Sequence, residues 1–410
     1  MVKTNRFFFN KIFKTSLLQN ILYVGLGRTM VFIVPFVLLP YIYNYHGEVF
    51  IQDFTLTISS YLIANVFIDF GTTIYGSYLS SIKFKLTFFK NLFLTRLLIF
   101  LILISFSFLF YDLRVFSGVL ISFFNIFNFN FYFQGKLKNK ILFKQDIIGR
   151  LTFLIFFFIS IFLFDNILVS TLLALTFNNL SKLFFNRKLL VFLTHSSLTK
   201  FSEFILFLRK TSSFGLSRYF IVGTTEANQL YIKNFSDSLV ANYSIVEIFY
   251  KITKNLGSLF SQVLLPYFSK NNQKINKKEI YFYTILIVLF YISAYLLVPI
   301  IIVEFYSLSL FQSLSYAYNL FFIASIFTLI NAIIGYPIHS LLNIINKANF
   351  SIYISSLIYM IFIAVNFKNL SLEIIAKSTL IMEISICIIR STTIIYYHTK
   401  NDNIRSIREI

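Results

Sequence analysis

A single cysteine, Cys387, occurs among the 410 residues, and tryptophan does not occur at all. One thiol excludes an intramolecular disulfide and any metal site built from several cysteines. Histidine is nearly as scarce. His46, His195, His339 and His398 lie far apart and show no metal-ligand spacing. No Walker-type glycine loop is present, so ATP-driven pumping is not encoded in this chain. These absences leave no expected metal or cofactor. Charge is sparse as well: 13% of residues are charged, where a soluble domain carries roughly 25%. Acidic residues number only 16 against 36 basic ones, a formal charge of +20. That excess does not point to nucleic acid, because the basic residues sit in short clusters between apolar blocks and form no separate basic domain.

What fills the space is apolar. Hydrophobic residues make up 57% of the chain and aromatics 20%, arranged in runs such as LFLTRLLIFLILISFSFLF at 92–110 and FFFISIFLFDNILVSTLLALTF at 156–177. Runs of about 20 apolar residues match the length of helix needed to cross the hydrocarbon core. The sequence therefore predicts an all-α integral membrane protein, with helices near 17–39, 52–80, 92–111, 115–135, 148–164, 166–185, 211–231, 238–265, 280–302, 315–342, 350–366 and 371–397. The stretch from Leu17 to Leu39 is too long for a signal-peptide core and reads as a retained first span. Spans five and six are separated only by an Asp165–Asn166 turn.

Basic residues test this segmentation independently, because they favour cytoplasmic loops. Alternate loops divide them twenty-six to three, the three being Arg114, Lys233 and Lys368. This asymmetry places both termini in the cytoplasm. The longest connection, 186–210, divides the chain into a six-helix half at 1–185, a cytoplasmic linker and a second six-helix half with its tail at 211–410. The linker mixes apolar patches with basic residues and is expected to lie on the membrane surface. Two comparable halves are the usual layout of a secondary transporter.

Charged residues inside spans are costly and mark candidate sites. Arg28 sits in the first span ahead of Pro35; it reads either as a cation facing a wet cavity or as an ion-pair partner, for example of Asp69. Asp69 is a coupling carboxylate or an interfacial, paired one, and Asp53 brackets the same span. Arg218, in the seventh span, reaches a cavity or snorkels to the headgroups. Glu226 and Asp237 lie nearby. In the eighth span Glu247 and Lys251 are four residues apart with the acid first, the favourable orientation for a helix pair, and Lys254 follows. That group is either a structural pair or a positive surface for an anion tuned by Glu247. Glu304 is expected at the outer interface, Glu383 and Arg390 as structural residues of the last span, and Gly335 with Pro337 as a break in the tenth.

Several stretches carry a family resemblance: NILYVGLGRTMVFIVPFVLLPYI at 20–42, VFIQDFTLTISSYLIANVFIDFGTTIYGSYLSSIK at 49–83, FNFYFQGKLKNK at 129–140, and SRYFIVGTTEANQLYIKNFSDSLVANYSIVEIFYKITKNLGSLFSQVLLPYFSK at 217–270. In order and spacing they resemble the polysaccharide transport family, the O-antigen and capsule repeat-unit flippases of the multidrug/oligosaccharidyl-lipid/polysaccharide exporter superfamily. Members commonly place an acidic residue after the "FQG" glycine. This chain has Lys136, Leu137 and Lys138 there, so that acidic role is not carried over.

The resemblance implies a flippase in the cell inner membrane. It would carry an undecaprenyl-diphosphate-linked oligosaccharide from the cytoplasmic to the outer leaflet by alternating access, for lipopolysaccharide or capsule biosynthesis. Arg28, Arg218, Lys251 and Lys254 would offset the diphosphate charge, with Asp69 and Glu247 as coupling or paired acids. A polymerase, a chain-length regulator and a ligase would be the implied partners, and proton or sodium coupling the implied drive. The main alternative is a multidrug or small-molecule exporter of the same superfamily, which a strongly acidic cavity would favour. A polymerase or glycosyltransferase would need a larger outer loop or a carboxylate cluster facing one.

Overall fold

The computed structural model describes residues 23, 27, 34–82, 87–109, 112–195, 201–233, 235–236, 238–248, 250–252, 291–292, 295–335, 339 and 345–408. Among the described residues there are helices and turns and no strand. In chain order the helices used below are α1 (Glu48–Asp69), α2 (Thr72–Ile82), α3 (Thr87–Phe108), α4 (Leu113–Ile121), α5 (Asn130–Gly135), α6 (Asn139–Phe164), α7 (Ile167–His195), α8 (Phe201–Gly223), α9 (Asn228–Ile232), α10 (Leu308–Ile334), α11 (Ile345–Val365) and α12 (Leu372–Arg408).

Six helices among the described residues are long and apolar enough to cross a membrane: Phe50–Asp69, Phe88–Phe108, Asn139–Phe164, Ile167–Val191, Leu308–Ala332 and Lys347–Val365. Their outward faces carry large apolar side chains, Phe162 being 90% exposed, with Ile102 and Leu163 also exposed. In water such a surface would drive aggregation. In lipid it is the solvated one. The interior, by contrast, holds buried serine, threonine, asparagine and charged side chains.

Two expected spans are discontinuous. The second breaks after Asp69, where Phe70 (φ 45°) and Gly71 (φ 71°) both adopt left-handed backbone before α2 begins. A Cβ on Gly71 would collide with the backbone of Phe214 and Gly215 in α8, so the break is also a close approach that only glycine permits. The fourth span starts well, with Asp112 capping α4 through the amides of Arg114 (2.9 Å) and Val115 (3.3 Å). It then tightens into a 3₁₀ turn over Ser122–Phe127 and leaves helix at Asn128 and Phe129 before α5. The expected Asp165–Asn166 turn is present: Asp165 ends α6 in the left-handed region (φ 46°), and Asn166 accepts the amide of Val169 at 3.0 Å. The stretch expected to link the halves is largely helical, since α7 continues to His195 and α8 begins at Phe201.

By packing, the chain forms two compact units. One holds the described residues of Asp53–Val222; the other holds those of Pro35–Gln52, Gly223–Ser258 and Asn271–Ile410. The first has an aromatic core around Phe88, Phe89, Phe129 and Phe131, drawn from α3 and the α5 region. The second is centred on Tyr243, Tyr250, Tyr318 and Phe321.

Candidate functional site

The first charge cluster lies in the N-terminal unit, at the break after α1. Asp69 is buried there and meets two arginines. Arg96 Nη2 from α3 lies 3.0 Å from Asp69 Oδ1, and Arg218 Nη1 from α8 pairs with Asp69 Oδ2. The carboxylate also accepts from the Thr72 hydroxyl (2.9 Å) and the Thr73 amide (3.1 Å), so it caps the first turn of α2. Arg96, 1% exposed, does more than neutralise it. Its Nη1 donates to the backbone oxygens of Asn125 and Ile126 at 3.4 Å and to that of Asn128. The Asn125 oxygen also accepts the Asn128 amide at 3.1 Å, so Arg96 reinforces the end of the 3₁₀ turn where the fourth span leaves helix. Tyr219, next to Arg218, donates to the Phe67 oxygen at 2.7 Å and stacks on the Phe67 ring at 4.2 Å. Two guanidinium groups around one carboxylate leave the cluster with one excess positive charge, and Arg218 is 32% exposed.

The second cluster lies in the C-terminal unit. Lys251 Nζ sits 2.7 Å from Glu226 Oε2 and 2.8 Å from Glu247 Oε2. Glu226 comes from the turn between α8 and α9; Glu247 comes from the helical residues 238–248 and Lys251 from the helical residues 250–252. Glu247 also accepts from the Tyr243 hydroxyl (2.8 Å) and Gln229 Nε2 (3.0 Å). Asn228 then links Tyr243 to Tyr359, donating to one hydroxyl at 2.9 Å and accepting from the other at 2.6 Å. Here the formal balance is one excess negative charge.

A third group supports the end of α10. Glu383 of α12 accepts from the Tyr250 hydroxyl (2.9 Å) and from Asn331 Nδ2 (2.8 Å). Arg390, two turns further on, donates to the Ser351 hydroxyl (3.0 Å) and to the Asn331 backbone oxygen.

Of the sequence-derived candidates, Asp69 and Arg218 come together in the first cluster, and Glu247 and Lys251 in the second. Arg28 and Lys254 lie outside the described residues. The partners of Asp69 among the described residues are Arg96 and Arg218. Arg96, one of the twenty-six basic residues assigned to the cytoplasmic side with Lys83, Lys85 and Lys90, is a buried residue within α3, and the basic asymmetry holds without it. Its signal was an arginine flanked on both sides by apolar residues, LFLTRLLIF, with no loop-forming neighbour. Glu226 was noted but not joined to Lys251, since nothing local shows a contact across 25 residues. Asp53 pairs with Arg114 at 3.2 Å in a half-exposed position, as an interfacial residue.

No family model matches the sequence, and no curated protein matches it. Solved structures match in fold. A MOP superfamily transporter from Pyrococcus furiosus, for which reverse polarity of the binding pocket suggests a different function, superposes with a TM-score of 0.64 at 12% identity, over 94% of this chain and 95% of that one. An outward-facing multidrug resistance MATE transporter of the MOP superfamily gives 0.63 at 11% identity, over 95% and 96%. The eukaryotic MATE transporter AtDTX14 gives 0.62 at 11%, over 93% and 96%. At such identities the likeness concerns fold. The chain has the fold of these MATE transporters, and its described residues are helices and turns that include six helices able to cross a membrane.

Proposed function

We propose that this chain is a secondary membrane transporter that works by alternating access and exports small amphipathic or multidrug-type compounds. The observation that carries the transporter reading is the fold likeness, which spans 94% of the chain for the Pyrococcus furiosus protein and 95% for the multidrug MATE transporter. Fold alone is an analogy for function. Two features of the chain itself add to it. Charged side chains are buried inside an apolar bundle, the usual mark of a transport pathway. Discontinuous helices meet those charges, as in transporters that bind solute at broken helices. Of the two cargo readings, the exporter is supported better, because proteins of this fold include a multidrug resistance transporter.

The second reading, a flippase for an undecaprenyl-diphosphate-linked oligosaccharide, is favoured by one specific observation besides the sequence resemblance. The Asp69–Arg96–Arg218 cluster carries excess positive charge, and its Arg218 guanidinium is partly exposed. Such a fork suits a phosphate oxygen pair better than an organic cation. The pocket polarity of the Pyrococcus furiosus transporter is a precedent for reading cargo from charge within this fold. The proposed location is the inner (plasma) membrane with both termini cytoplasmic, on the strength of the basic-residue asymmetry.

Gene deletion in the host, read out two ways, separates the cargoes. An exporter predicts raised sensitivity to cationic amphipathic compounds with normal surface glycan. A flippase predicts loss of surface polymer with intact lipid-linked repeat units trapped on the cytoplasmic leaflet. Neither phenotype, in a strain without a redundant transporter, would contradict both.

A further inference from the structure

Helices α6 and α7 pack along their length, and the surface between them is not apolar throughout. Gln145 and Gly149 lie one turn apart on α6; Asn178, Lys182 and Asn186 follow the same spacing on α7 and share one side of it. At Gly149 the α7 side chains press against the α6 backbone. A Cβ there would lie 2.5 Å from Asn178 Oδ1 and 3.1 Å from Lys182 Cε. From α1, the Tyr61 hydroxyl donates to Asn179 Oδ1 at 2.8 Å. Gln145, Asn178, Asn179 and Asn186 are all buried, yet Gln145 Oε1, Asn178 Oδ1, Asn179 Nδ2 and Asn186 Oδ1 have no hydrogen-bond partner.

Four such atoms cannot stay bare. An unpaired buried amide costs about 1–3 kcal/mol in proteins, and hydrocarbon offers nothing to relieve it. The set also defines what relieves it. Three of the four are acceptors and one is a donor, so a ligand that only accepts, such as an anion, fits poorly. The stem of Lys182 beside Asn178 disfavours a bound cation. A small molecule that both donates and accepts satisfies all four, and buried waters typically make about three such bonds.

We infer that this seam holds a file of bound water. It enters the N-terminal unit in the C-terminal part of α7, where Arg187 and Lys188 are exposed, and it ends at the Tyr61 hydroxyl. Asn186 to Asn178 spans about 12 Å at 1.5 Å per residue. The water gives an otherwise apolar helix pair a polar path from the membrane boundary to the middle of α1, the helix that ends in Asp69.

The single native cysteine makes the test direct. In a Cys387→Ser background, Asn178→Cys and Asn186→Cys are compared with Leu180→Cys, a lipid-exposed position at nearly the same depth as Asn178. The readout is the rate of modification by a small water-soluble methanethiosulfonate in native membranes. Only the thiolate reacts, and it forms where water reaches, so both asparagine positions should react roughly tenfold faster than 180 or more. Reaction at 178 no faster than at 180 would overturn the inference, and so would reaction at 186 alone. If the cysteine variants do not fold, radiolytic hydroxyl footprinting of the unaltered chain decides. Tyr61 should be oxidised faster than the buried Tyr243 and Tyr359, whose hydroxyls are held by Glu247 and Asn228. Equal rates would overturn it.

Discussion

The two units solve the same problem with opposite stoichiometry. In the N-terminal unit one carboxylate, Asp69, serves two guanidinium groups. In the C-terminal unit one ammonium, Lys251, serves two carboxylates. Both clusters are held by several hydrogen bonds, and among the described residues their formal charges are of opposite sign. Structure alone would be served by matched pairs, which are the least costly way to keep ions in lipid. An excess charge in each unit fits the transporter reading proposed above. A second parallel sharpens this. Each unit uses a buried arginine to hold backbone carbonyls near a helix end: Arg96 at Ile126 and Asn128, Arg390 at Asn331.

The largest effect is expected from Asp69→Ala, which strands two guanidinium groups with no counter-charge. Removing the partner from a buried pair costs about 3–5 kcal/mol. The variant should lose folded yield and melt far below the parent in detergent. Next comes the C-terminal unit, where the outcome depends on number. Glu226→Gln or Glu247→Gln alone leaves Lys251 with one carboxylate and should cost roughly 1 kcal/mol or less. The double variant removes both carboxylate charges beside Lys251 and should exceed the sum of the singles by about 1–3 kcal/mol. Additive singles would show that the two carboxylates do not share the lysine. Gly71→Ala should destabilise by about 1–3 kcal/mol, through its left-handed backbone and its collision with α8. Thermal unfolding followed by circular dichroism measures it, and a neutral result would show that the break after α1 is pliable. The smallest effect is expected for Arg114→Ala, whose pair with Asp53 is half-exposed: about 1 kcal/mol or less.

Much of this arrangement was legible in the sequence, and the limits have physical reasons. Apolar runs located the helices because lipid demands uniformly apolar segments. The second span was expected to run unbroken over 52–80; its break at Phe70 and Gly71 rests on left-handed backbone that hydropathy does not register. Glu247 and Lys251 were visible as a pair because i,i+4 spacing is a local signal. Glu226 joining them, or Tyr250 reaching Glu383 across 133 residues, is tertiary and leaves no local trace. Helix ends were misjudged for another reason. Basic residues such as Arg187 and Lys188 end a hydropathy window, but backbone hydrogen bonding continues past the membrane boundary, so α7 extends to His195. Arg96 was hidden by the same logic in reverse, counted with neighbouring loop charges although α3 already encloses it.

The most direct test of the central claim is solute movement by the purified chain in proteoliposomes carrying a proton or sodium gradient. A fluorescent cationic amphiphile and a lipid-linked oligosaccharide would be assayed side by side. The account predicts gradient-driven movement of the amphiphile that is lost in the Glu226→Gln, Glu247→Gln double variant. Movement of the lipid-linked oligosaccharide alone would reverse the order of the two cargo readings. Movement of neither, by protein that is folded and correctly inserted, would contradict the account.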